Sequence, residues 1–70
     1  MDDELKYRWE VYYRTSSGRE ISVSNGKVYT DFSKCDRDMC DKASDLEESG
    51  REGVSGDIFT YEYGVWRRGR

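Results

Sequence analysis

Apolar and polar residues alternate from Leu5 to Arg14. Leu5, Tyr7, Trp9, Val11 and Tyr13 fall on one side, and Lys6, Arg8, Glu10, Tyr12 and Arg14 on the other. Successive side chains of extended backbone point to opposite faces, so this period of two predicts a half-buried strand over 5–14. Thr15-Ser16-Ser17-Gly18 supplies turn chemistry, and Ile21 and Val23 carry the alternation through a second strand at 19–24. Asn25-Gly26 then matches the two-residue loop of a type I′ hairpin, in which both central residues take positive φ. A reversal there sets Val23 opposite Val28 and Ile21 opposite Thr30, predicting a third strand at 27–32.

The period then changes. Ser33-Lys34-Cys35-Asp36 fits a capping box with Asp in place of Glu, and Asp36 is a rival N-cap. At about 100° per residue, Cys35, Met39, Ala43 and Leu46 form an apolar stripe within an arc of about 80°. The expected helix spans about 34–49, with Gly50 placed to stop it. The three glycines between Gly50 and Gly56 predict a flexible connection. A last strand at 57–67 alternates again, with Phe59, Tyr61, Tyr63 and Val65 on one face and Ile58, Thr60, Glu62 and Trp66 on the other. These elements predict an α+β fold within one domain, 1–70. Its small four-stranded antiparallel sheet has the element order βββαβ, one helix packs on one face, and the last strand lies beside the first.

Composition qualifies this picture. A chain of 70 residues has no room for a second core, and one this size buries only about 60% of the surface its unfolded form exposes. Hydrophobic residues make up 34% and charged residues 39%, a balance that leans toward disorder unless the 14% of aromatic residues supply the buried area. The expectation is a thin, mainly aromatic core, which pairing into a homodimer would enlarge. Residues 1–10 are charged throughout, and no apolar run approaches the ~20 residues needed to span a bilayer. With two cysteines expected as reduced thiols, a cytoplasmic location follows.

Catalytic parts are scarce. Histidine is absent, which removes the commonest metal ligand and general base. Cys35 and Cys40 lie five apart, about 140° around a helix, a geometry that opposes a disulfide. Two thiols without histidine also make a poor zinc site. The carboxylates lack a cleft-sized core to raise one pKa, and no glycine-rich phosphate loop precedes the helix. The chain is therefore expected to be no enzyme and to need no metal or cofactor.

Charge is unevenly placed. Residues 1–30 balance five acids against five bases; residues 31–57 carry nine acids against four bases; residues 58–70 carry Glu62 against Arg67, Arg68 and Arg70. On the helical wheel, Asp38, Asp41, Asp45 and Glu48 gather within about 80° away from the apolar stripe. Such a ridge keeps a small chain soluble, and it also presents a lure to a basic surface. Arg8, Tyr12, Arg14, Lys27, Tyr29 and Trp66 are expected on the sheet face away from the helix, with Arg67 and Arg68 beyond them. Aromatic and basic side chains interleaved in this way can stack bases and hold phosphates.

The leading expectation is an acidic binding module, a stoichiometric inhibitor whose protein partner has a basic, nucleic-acid-binding surface. Phage anti-defence proteins such as anti-CRISPR proteins are examples of that class. The alternatives are a nucleic-acid-binding domain using the open sheet face and basic tail, and a homodimeric structural or regulatory protein.

Overall fold

A computed structural model describes residues 5–68. The first alternating segment forms β1, Lys6–Arg14, and the second forms β2, Glu20–Val23. Helix α1 follows at Phe32–Glu48, then β3 at Glu52–Glu62 and β4 at Val65–Arg68. All strands pair antiparallel in the order β2-β1-β3-β4, with α1 packed on one face through β1 and β3. The α+β class, the four strands and the single covering helix match the sequence reading. The element order does not: it is ββαββ, because the third strand moves from before the helix to after it.

The expected hairpin at Asn25-Gly26 is absent. Val23 pairs with Val11, and Tyr29 forms a bridge with Tyr7, its N–H donating to the Tyr7 carbonyl at 2.7 Å and its carbonyl accepting in return. The chain therefore keeps its direction along the same edge of β1, and residues 24–28 bulge outward between the two pairings. Local hydrogen bonds hold the bulge: the Asn25 Oδ1 accepts the Lys27 N–H at 3.0 Å, and the Ser24 Oγ accepts the Gly26 N–H at 3.1 Å. Asn25 thus closes a turn through its own side chain instead of taking the centre of a type I′ turn. Continuing along β1 drops the Tyr29 ring into the core, where it is buried, whereas reversal would have set it against β2.

The type I′ geometry occurs at the other end of the sheet. Tyr63 and Gly64 have φ of +55° and +81° and join β3 to β4, with Glu62 opposite Val65 and Tyr61 opposite Trp66. The strand expected over 57–67 is consequently two strands. The turn also brings Trp66 to the face of Tyr61 and Phe59 instead of that of Ile58.

The segment read as a flexible connection is ordered, and β3 begins at its third residue, Glu52. Gly50 belongs to the helix stop, where its N–H reaches the Glu47 carbonyl at 3.0 Å and the Arg51 N–H reaches that of Leu46 at 3.0 Å. These are the two bonds of a Schellman ending. The following residues enter β3 through a bulge opposite the Tyr12–Arg14 step of β1. At its other end α1 begins two residues before the expected start. Asp31 is the N-cap, accepting the Ser33 N–H at 3.0 Å, and Phe32 meets Tyr7 edge-on at 5.5 Å between ring centroids.

Trp9, Val11 and Ile58 from the sheet, Cys35 and Met39 from α1, and Tyr29 form the buried core. Tyr7, Val23, Phe32, Ala43, Leu46 and Val54 pack around it. The helical stripe is therefore as expected, but the core is not mainly aromatic. Phe59, Tyr61 and Trp66 lie on the opposite face of the sheet, since their registers place them with Lys6, Arg8 and Arg68.

Candidate functional site

Two surfaces carry the residues singled out by the sequence. On the open sheet face the cross-strand register aligns Arg8, Phe59 and Arg68 in one row and Lys6, Tyr61 and Trp66 in the next. The Arg8 guanidinium lies 4.4 Å from the Phe59 ring centre and 5.2 Å from that of Trp66, and Trp66 packs on Tyr61 at 5.1 Å. Tyr12, Arg14 and Trp66 share this face with Arg8, as expected, and Arg68, expected beyond it, lies on it too. Tyr29 does not, because its ring is in the core; Arg67 is opposite Thr60 and so belongs to the helix face; Lys27 sits in the exposed bulge.

The bases of the open face are answered by acids. Arg8 reaches Glu10 at 2.7 Å, and Arg68 reaches Asp57 at 2.9 Å. The Arg8 bond holds the Glu10 carboxyl below its usual range, with help from Tyr12 and Ser22 hydroxyls against the opposing effect of burial. Register places Glu20 and Glu52 opposite Arg14 on the same face. Lys6, Arg8, Arg14 and Arg68 are therefore equalled in number by Glu10, Glu20, Glu52 and Asp57, and the face has no excess of positive charge for a polyanion to use.

The helix side differs. A groove of about 520 Å³ runs between α1 and the 24–28 bulge, lined by Trp9, Ser24, Asn25, Asp38, Asp41, Lys42 and Asp45. The structure thus joins Asp38, Asp41 and Asp45 in one concavity, while Glu48 lies one turn farther along the helix. Asp38 is not part of the exposed ridge. It is half-buried, and its Oδ2 accepts a 2.6 Å hydrogen bond from the Tyr29 hydroxyl, which itself accepts one from Asn25 Nδ2 at 2.8 Å. This chain of bonds braces one groove wall against the other. Asp41, Asp45 and Glu48 are exposed, and among the described residues no ion pair engages them. Lys42 makes no ion pair with them either, and the groove keeps three carboxylates against one ammonium.

The helix ends reinforce this asymmetry. The first turn of α1 contains no acid and the last no base. The partial negative charge at the helix C-terminus consequently adds to that of Asp45, Glu47 and Glu48 instead of being offset.

Trp9, Ser24 and Asn25 also line the groove, and no sequence pattern assigns them to a site. Trp9 read as a residue of the buried face of β1, which holds, whereas Asn25 read as the centre of a hairpin turn that the structure does not form. Trp9 is 3% exposed, yet its Nε1–H has no acceptor, the only such buried side-chain nitrogen or oxygen among the described residues. A buried donor left without a partner costs about 1–3 kcal/mol.

The cysteines are separated as their spacing required. Cys35 is fully buried and Cys40 exposed, both free. Burial, with Asp36 and Asp38 nearby, pushes the Cys35 thiol up to about 11, which keeps it protonated and unreactive. Among the described residues, no group of three or more Cys, Asp or Glu side chains is arranged to hold a metal ion, and no helix is long and apolar enough to cross a membrane.

Comparison with known proteins places no family model on this chain, and neither a curated protein nor a solved structure matches it.

Proposed function

We propose that this chain is a binding module that inhibits a macromolecular partner stoichiometrically by covering its basic, nucleic-acid-binding surface with the acidic side of α1. Phage anti-defence and anti-CRISPR proteins are the class that this mode of action fits. The observation that carries the reading is the contrast between the two faces. Asp41, Asp45 and Glu48 on the helix side are exposed and engage in no ion pair among the described residues, while Arg8 and Arg68 of the sheet face are each paired with an acid. Unpaired charge reaches outward, where it can steer and orient a partner of opposite sign. The sequence also places Asp residues at interior helix positions where their propensity is poor, and like charges at Asp41 and Asp45 one turn apart. Stability alone would favour neither choice.

The test is capture from cell extract with the parent chain and with the triple variant Asp41→Lys, Asp45→Lys, Glu48→Lys. The parent should retain a nucleic-acid-binding protein, release it as salt rises, and displace that protein's nucleic acid at one equivalent. The triple variant, shown folded by its unfolding curve, should retain none. Undiminished capture by the variant, or a partner whose nucleic acid stays bound at saturation, would refute the proposal.

A further inference from the structure

The helix covers one face of the sheet, and the charges on the other face are sorted by position along the strands. Lys6, Arg8 and Arg68 lie at the end where β1 begins, together with Phe59, Tyr61 and Trp66. Glu10, Asp57, Glu20 and Glu52 lie toward the end where β1 finishes, with Arg14 as the one base among them. The face is neutral as a whole, yet one half is basic and aromatic and the other acidic. A partner of a single sign is drawn to one half and repelled by the other. A second copy turned end for end is drawn to both.

We infer that the open face is the contact surface of a homodimer, in which two sheets meet face to face with their strands antiparallel. The two-fold axis crosses β1 at the level of Trp9, so every contact occurs twice. This axis sets the Arg8 row of one copy over the Glu10 row of the other. Arg8 already holds its own Glu10 at 2.7 Å, and pairing places the same two charges opposite each other again between copies. The axis also sets the Lys6 row over Tyr12 of the second copy, the one aromatic residue of the acidic half. Tyr12 then faces a hollow of about 350 Å³ lined by Lys6, Val28, Thr30, Tyr61 and Trp66. Val28 is 55% exposed and Trp66 37%, so the hollow presents apolar surface for the ring to cover.

At about 3.3 Å per residue and 4.8 Å between strands, the four strands offer about 450 Å² of sheet per copy. Two copies cover about 900 Å², short of the ~1,200–2,000 Å² of stable complexes, so the dimer is a weak one with a Kd of about 100 µM. Asp41, Asp45 and Glu48 lie on the far side of the sheet and end on opposite outer surfaces of the pair. Their mutual repulsion is weakest there, and they stay open to a partner. The inference therefore does not depend on the proposed function.

Sedimentation velocity between about 10 µM and about 1 mM tests it, and the parent should pass from monomer to dimer over that range. Arg8→Glu and Glu10→Arg should each stay monomeric at the highest concentration. An equimolar mixture of the two should dimerise, because each supplies the charge that the other now lacks. Val28→Glu, at an exposed position outside the core, should raise Kd at least about tenfold. The helix-side variant Asp41→Lys, Asp45→Lys, Glu48→Lys takes the net charge from −3 to +3 through three changes of two charges each, so its magnitude is kept and Kd should stay within about threefold of the parent. A parent that is monomeric throughout, a dimer that survives Arg8→Glu or Val28→Glu, folded reversed chains that do not associate on mixing, or a dimer lost in the helix-side variant would each overturn the inference. Should a reversed chain fail to fold, as judged by its unfolding curve, Val28→Glu and the helix-side variant decide between them.

Discussion

Replacing Tyr29 by Phe tests the bracing of the groove with a single atom. The ring is 8% exposed and keeps its packing, so the change removes only the hydroxyl between Asn25 and Asp38. A hydrogen bond to a charged acceptor contributes about 1.5–3 kcal/mol and one between neutral groups about 0.5–1.5. Asn25 and Asp38 both border the groove and recover part of this from water, which brings the expected loss to about 2 kcal/mol. For a domain of this size each kcal/mol lowers Tm by about 4–8 °C, so Tyr29→Phe should melt roughly 8–16 °C below the parent. Urea unfolding followed by tryptophan fluorescence should show the loss in the midpoint with an unchanged slope, since the buried area hardly alters. Combining the change with Asp38→Ala completes a double-mutant cycle whose coupling should be about 1–2 kcal/mol. A stability within about 0.5 kcal/mol of the parent, or strict additivity in the cycle, would refute the bracing argument.

Other consequences are open to the same measurements. Tyr63 is 89% exposed and holds φ of +55°, so Tyr63→Asn sacrifices no packing and should raise the urea midpoint by an amount equivalent to about 0.5–1 kcal/mol; a lower midpoint would contradict the turn. Gly56 lets α1 approach the sheet: a Cβ there would lie 2.9 Å from the Met39 Sδ and 3.4 Å from the Glu10 carbonyl oxygen. Gly56→Ala should therefore cost about 1–3 kcal/mol through displacement of Met39, and equal stability would show that the contact yields freely. An aromatic disulfide reagent at neutral pH should titrate one thiol, Cys40, in the folded chain and two once the chain is unfolded; two equivalents from the native state would contradict the burial of Cys35. The Cys35 thiol is raised above its ordinary 9.0 to about 11, so its contribution to stability is complete below pH 9.0 and is lost as pH rises through about 11. Cys35→Ser should shrink that alkaline loss.

The parts of the fold legible in the sequence were those where one period ran unbroken over many residues. Leu5 to Arg14 and the Cys35-Met39-Ala43-Leu46 stripe each repeat one physical demand often enough that no single neighbour overrides it. Short signals failed where a tertiary contact outweighed them. Asn25-Gly26 favours a reversal, yet the burial of Tyr29 and its bond to Asp38 decide the path, and that bond joins residues on separate elements. Conversely, Tyr63-Gly64 makes the reversal with a tyrosine at a position where Asn or Gly is expected, because pairing of Tyr61 with Trp66 holds the turn closed. The glycines after the helix looked like slack because composition does not distinguish a cap, a bulge and a close approach from a linker. At the site, helical spacing located Asp41 and Asp45 correctly, but it counted Asp38 as exposed, since nothing on the helix itself reveals the hydroxyl that reaches it.

The position of β1 at the centre of the sheet governs the order in which this chain can complete itself. Its first partner, β2, lies a short turn away, but the pairing of Trp9 with Ile58 spans most of the sequence. A chain leaving the ribosome therefore carries β1 with one edge unsatisfied until α1 has emerged and β3 begins to follow it. Closing that long loop comes before most of the core can form, which slows folding and leaves no stable half-molecule on the way. β1 stays open on one edge until β3 arrives, and β3 in turn until β4 folds back on it. Any truncation before Glu62 removes part of the β3 register and with it the second wall of the core, whereas loss of β4 takes away only an edge.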